Sequence, residues 1–272
     1  MPRRIRISMA RRGRLPSPWR RSPNSSAPAP TRGSHSMAKT ANLGLPLIAP
    51  SQAQKHVTVN DALSRLDAVT QLRVLDTAGA VPPAEADDGA CYVVASGAIG
   101  DWAGRSSQIA FRSNGGWLFL EPASGWRAWN VNEATSVVFD GTEWVSGAAA
   151  MSAHGACTIA EISEFEYAIT PGAAHTIAGA IPANSQVLGV SGRVLEAITG
   201  TGVSGWRIGV PGAEGRFGTG LGTGAGSYLL GLSGAPTAYY ADTPLTVGAE
   251  GGVFASGRLR IAVHVLRLRP PR

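Results

Sequence analysis

From Gly89 onward this chain is a succession of short apolar runs, each cut off by glycine, proline or asparagine. That punctuation restricts the fold more than any other feature. A helix that packs needs about ten or more residues of unbroken 3.6 periodicity, whereas a buried strand needs only about four to eight. Short runs with turn residues between them therefore read as strands joined by tight turns. Composition agrees, with 35 glycines in 272 residues and only 15% charged side chains. The expectation is a mainly β protein with a short N-terminal helix, a small Trp-rich β domain and a C-terminal domain like a β-sandwich or jelly roll.

The last domain spans residues 157–272. Its strand candidates are "EFEYAIT", "HTIAGAI", "QVLGVSGRVLEAI", "GWRIGVP", "SYLLGL", "PLTVGAE" and "RLRIAVHVLRL". Seven short strands in close succession argue for two packed sheets. In the final run, Leu259, Ile261, Val263, Val265 and Leu268 are expected to face inward, with a slip near Leu266 of the kind a bulge makes. The glycine-rich stretch Gly209–Tyr228 lacks the lysine of a phosphate-cradling loop and reads as a permissive surface loop. Around it, Trp206, Glu214, Arg216, Tyr239 and Tyr240 form a candidate carbohydrate site, since aromatic faces pack on sugar C–H groups and charged groups bond to hydroxyls.

Residues 77–147 form the small β domain. "GACYVVA" reads as a buried strand. Ile109–Leu120 reads as a hairpin about Asn114-Gly115, and "SVVFDGTEWVS" as another about Asp140-Gly141. Trp102, Trp117, Trp126, Trp129 and Trp144 all fall here. Trp117 and Trp144 are expected in the core. Trp126 and Trp129 lie near a strand edge, and Trp102, in "GDWAG", is the expected exposed indole and a further carbohydrate-binding candidate. Residues 148–156 are small and read as a linker, with His154 a solvated loop residue.

Residues 37–76 open with a stretch that is extended around Pro46 and Pro50. A helix is expected over Asn60–Val74, with Asn60 as its cap, Asp61 at the positive end of its dipole, and Val59, Leu63, Leu66 and Val69 as its apolar stripe. A helix this short is marginal alone. It either lies on the following β domain or packs against copies of itself through Leu63, Leu66 and Val69.

The run "LGLPLIAPSQAQKHVTVNDALSRLDAVTQLRVLD", together with "GWLFLEPASGWRAWNVNEATSVVFDGTEW", resembles a family of uncharacterised domains from prophages and gene transfer agents, found there in head-spike and tail-fibre proteins. The resemblance covers Leu43–Trp144. It implies a place in a phage-like particle, assembled in the bacterial cytoplasm and released, with capsid or tail proteins as partners. It also implies a homotrimer, the usual state of such spikes and fibres.

Residues 1–36 hold nine arginines and no acid, with much Pro and Ser. This composition predicts disorder. A nucleic-acid-binding arm and a presequence are alternatives, and Met37 reads as the natural start. Without these nine arginines the remaining 236 residues carry 15 basic and 18 acidic side chains, a net charge of −3 against +6 for the whole. The folded part is therefore not expected to bind nucleic acid. No apolar run has the length of a membrane span. Cys91 and Cys157 suggest no metal site, and a single bridge between them stays open.

No catalytic motif, cofactor fingerprint or metal-ligand spacing stands out. Glu161, Glu164 and Glu166 are the nearest approach to a carboxylate pair. The expected function is structural and non-enzymatic, with attachment of a particle to bacterial surface polysaccharide. The alternatives are an adaptor carrying a separate adhesin and a capsule-degrading glycan hydrolase.

Overall fold

The computed structural model describes residues 38–49 and 55–272. The expectation for the basic segment 1–36 lies outside them.

The chain enters the first domain through α1 (Lys55–Val69) and β1 (Arg73–Val74). Then follow β2 (Cys91–Val93), a 3-10 turn at Gly100–Trp102, β3 (Ile109–Ser113), β4 (Gly116–Leu120), β5 (Arg127–Asn130), β6 (Thr135–Phe139) and β7 (Trp144–Ser146). They make two small sheets, ordered β1-β5-β6-β7 and β2-β3-β4. The β1–β5 pairing is parallel and the others are antiparallel. Asn114 and Gly115 both have positive φ, 49° and 74°, as a two-residue hairpin turn requires.

The helix differs from its expected position. It begins before Asn60, and at its end Gln71 takes φ 55°, the left-handed conformation that stops a helix. Val74 belongs to β1. Asn60 sits mid-helix and caps nothing. Its side chain instead bonds both backbone groups of Ile48, accepting from the amide at 2.9 Å and donating to the carbonyl at 3.1 Å. One turn pair further on, buried Asp67 accepts from the Thr40 hydroxyl at 2.7 Å and from the amides of Asn42 and Leu43 at 2.8 and 2.7 Å. The lead-in is thus pinned along the helix by two polar side chains. The helix turns Ala68 inward, and Leu72 follows it into a core of Val74, Cys91, Val93, Ile109, Phe111, Ala128 and Val137. Its need for a packing partner is met within its own domain. Leu66 is 55% exposed, and Leu63 and Val69 are half-buried.

A second small core lies on the other face of β2–β4. There Trp102 is fully buried, edge-on to Trp117 with centroids 5.1 Å apart and against Tyr92 at 5.5 Å. The expectation of an exposed Trp102 is corrected: Gly100, at φ 62°, opens the 3-10 turn that tucks the indole under the sheet. Trp117 and Trp144 pack against the cores as expected, and Trp126, expected near a strand edge, packs against a core as well. Trp129 is 46% exposed.

The second domain holds β8 (Ala148–Met151), β9 (Cys157–Ile169), β10 (Ala174–Ile181), β11 (Ser185–Thr201), β12 (Gly205–Val210), β13 (Ala213–Leu221), β14 (Tyr228–Tyr239), β15 (Thr243–Glu250) and β16 (Val253–Arg269). A five-stranded sheet, β14-β11-β16-β9-β8, packs on a four-stranded one, β10-β15-β12-β13. Aliphatic side chains interdigitate between them, among them Val190, Ile208, Leu245, Leu259, Ile261 and Val263.

Three expectations change here. The 148–156 linker is in part a strand: Ala148, Ala150 and Met151 pair with Ile159, Thr158 and Cys157. Ala148 fits into a cluster with Val138, Val145 and Cys157 that joins the two domains. The glycine-rich loop contains β13. A Cβ at Gly231 would collide with the Phe217 carbonyl, and one at Gly209 with the Ala213 carbonyl, so glycine serves close backbone approach rather than mobility. Finally, β16 pairs with β9 in unbroken register from Gly257 to Arg269. No bulge intervenes in that pairing, and strict alternation puts Leu268 outside, 82% exposed. Arg267 takes the opposite face and pairs with Glu161 at 3.2 Å.

An ionic contact closes the junction. Asp140, at the β6–β7 turn, is gripped by Arg269 and Arg272 from the chain's end, and Glu143 beside it by the same two arginines. Burial pushes the Asp140 carboxyl up. The amides of Glu143 and Thr142, the Thr142 hydroxyl and Arg272 outweigh that and hold it at about 2. Cys91 and Cys157 are buried free thiols. Burial, aided by Asp67, raises Cys91 to about 12, so it is neutral and unreactive at ordinary pH.

Candidate interaction surfaces

The residues expected to form one carbohydrate site are divided by the fold. Trp206 is 1% exposed and lies between the sheets, its indole nitrogen donating to the Gly222 carbonyl at 3.0 Å. It cannot stack on a ligand, and neither can Trp102. The pattern misled because a strand such as "GWRIGV", buried on both faces at five of six positions, offers no polar alternation to say where its tryptophan points.

The other four residues lie on β13 and at the end of β14. Glu214 and Arg216 alternate onto the same outward side of β13. Arg216 donates to the Thr237 hydroxyl at 2.8 Å, which ties it to β14 two residues before Tyr239. Tyr239 is half-buried and packs against the sandwich core, while Tyr240 is 82% exposed. Glu214 accepts from the Gly212 amide at 3.1 Å; its own amide and that of Gly212 hold its carboxyl below the usual range. Arg216 and the Thr237 hydroxyl are in direct contact, Glu214 stands two residues from Arg216 on the same side of β13, and exposed Tyr240 follows Thr237 by three residues. These groups can bond sugar hydroxyls and lay one ring face on a pyranose.

Glu161, Glu164 and Glu166 do not form a carboxylate pair across a cleft. Glu164 and Glu166 point out from β9, and Glu161 points to its other face. Glu166 is bound to Arg260 and Arg258, and its carboxyl is held low by the Arg260 hydrogen bond.

A second surface was not foreseen. On the outer face of the five-stranded sheet, Tyr228, Leu230 and Leu232 of β14 stand 67%, 74% and 83% exposed. Register aligns Leu230 with Ser191, Ala262 and Glu164 across the sheet, and Tyr228 with Arg193, Arg260 and Glu166. Small side chains floor a depression of about 430 Å³ between the β14 ridge and the charged strands. Ser191 is hydrogen-bonded to the His264 ring at 2.8 Å. The available signal was "YLLGL", which is apolar at adjacent positions and so must show one set of leucines to the outside.

A family described as a protein of unknown function (DUF2793) matches residues 59–145. That range holds most of α1 and nearly all of both small sheets. No curated protein matches the chain. Among solved structures, a chain of the cyanophage Pam1 capsid asymmetric unit aligns with a TM-score of 0.31 at 21% identity, covering 40% of this chain and 86% of that one. Among the described residues, no helix is long and apolar enough to cross a membrane.

Proposed function

We propose that this chain is a non-enzymatic structural component of a phage-like particle, a head spike or tail fibre of a prophage or gene transfer agent. In this reading the N-terminal region attaches to capsid or tail proteins, the chain forms a homotrimer, and the sandwich recognises bacterial surface polysaccharide. The particle assignment rests on the motifs between Leu43 and Trp144. The recognition assignment is carried by one observation, the Arg216–Thr237 hydrogen bond joining the strand of exposed Glu214 to the strand that ends just before exposed Tyr240. Display in several copies suits such a corner, because weak sugar contacts gain avidity when linked.

The test is binding of the chain to purified capsular polysaccharide from the producing strain. The expected outcome is retention on immobilised polymer that falls by about tenfold in Arg216→Ala, the loss of one charge-assisted hydrogen bond. Polymer length should be unchanged after incubation. Absence of retention overturns the polysaccharide reading and leaves an adaptor for a separate adhesin, and shortened oligosaccharides would establish a hydrolase.

A further inference from the structure

We infer that copies of this chain contact one another through the outer face of the five-stranded sheet. This deepens the self-association part of the proposed function and names its surface.

Three observations carry it. The first is the apolar content. Tyr228 and Leu230 line one side of the depression and Leu232 continues their row along β14, all at 67–83% exposure, and Ile162 on β9 is 62% exposed. Ile162 is joined by register through His264 to Gly189 of β11. Isolated exposed leucines need no explanation, but a row of them on one long strand beside a floor of small residues does. The second is extent. The four long strands β14, β11, β16 and β9, about 4.8 Å apart, over some ten residues at about 3.4 Å each, present a face of roughly 650 Å², near the roughly 800 Å² per partner of a specific interface.

The third is charge, and it selects the partner. The face carries Arg193, Arg258 and Arg260, together with Glu164, Glu166 and Glu196. Arg258 joins Glu166 and Glu196, and Arg260 joins Glu166. With equal numbers of each sign, the face has no net field to repel its own copy. A polyanion, an anionic lipid surface or a polybasic segment would call for one sign in excess. Aliphatic ridges beside mixed charges fit further copies of this chain, with this face of each turned toward a common axis.

Sedimentation equilibrium on the full chain at micromolar concentration tests this. The wild type is expected at a multiple of the single-chain mass. Leu230→Asp with Leu232→Asp should weaken association at least about a hundredfold and leave single chains, because two leucines lose their burial. Both side chains are exposed in the isolated chain, so the melting curve should be retained. Ile162→Lys, on a different strand, gives an independent second reading with the same expected direction. A wild type at single-chain mass overturns the inference together with the trimer. An assembly that survives both folded variants, or that dissolves instead in Leu63→Asp with Leu66→Asp, overturns the sheet face alone. Retention on capsular polysaccharide is read separately through Arg216→Ala, so failure here is distinguishable from failure of the recognition reading.

Discussion

The two domains are held together by different means. In the first, strands run two to five residues, and much of the fixing is done by side chains. Asp67 and Asn60 clamp the lead-in, Trp144 donates its indole N–H to the Ser107 carbonyl at 3.0 Å, and Tyr92, Trp102 and Trp117 fill a core with three aromatic rings. In the second, β11 and β16 run 17 residues each and pair with one another, and the interior is mainly aliphatic, with Trp206, Phe217 and Phe254 set among the branched side chains. Short strands gain little from their ladders and need specific polar partners. Long strands gain cooperatively and need shape. The first domain should therefore be sensitive to loss of a single acceptor, and the second to loss of volume.

The largest effect is expected in the sandwich. Ile261→Ala empties a fully buried position between the sheets and should cost about 4 kcal/mol. A shift of the urea midpoint by less than a quarter of that would mean the core is looser than its burial implies. Next comes Asp67→Ala, which leaves the Thr40 hydroxyl and two amides without their acceptor, at about 3 kcal/mol. Here the loss should be local. Amide exchange should quicken across residues 38–49 and stay unchanged in β11 and β16; uniform quickening would dissolve the contrast between the domains.

The smallest effect concerns the junction. The Asp140 carboxyl is held at about 2, below its ordinary value of 3.8. A depressed folded-state value contributes stability that is present above the ordinary value and lost as pH falls toward 2. The contribution is about 2 kcal/mol at neutral pH. Asp140→Asn should remove it and flatten the decline in melting temperature between pH 4 and pH 2. An unchanged acid slope would show that the turn amides, the Thr142 hydroxyl and Arg272 do not stabilise the charged carboxylate.

Much of the fold is legible in the sequence where alternation is clean. Two hairpins of the small domain, β3–β4 and β6–β7, follow from Asn114-Gly115 and Asp140-Gly141, and the inward set Leu259, Ile261, Val263 and Val265 follows from period two. Legibility fails where a residue's role is set by something distant. Asn60 has the chemistry of a cap, but the helix begins earlier and its amide meets Ile48. The glycines of β13 look like a loop until Phe217 and Gly231 are seen to cross in contact. Trp102 and Trp206 carry no mark of direction, and the candidate site lost both for that reason. Arg216 and Thr237 lie 21 residues apart, and only the β13–β14 crossing joins them.

The central claim is that the first domain faces a particle and the sandwich faces outward. Immunogold electron microscopy of purified particles from the producing strain tests it directly. Antibodies against the sandwich, residues 157–269, should decorate intact particles, while antibodies against the lead-in, residues 38–49, should bind only after disruption. Particles that lack the chain, or that bind the lead-in antibody while hiding the sandwich, would contradict it.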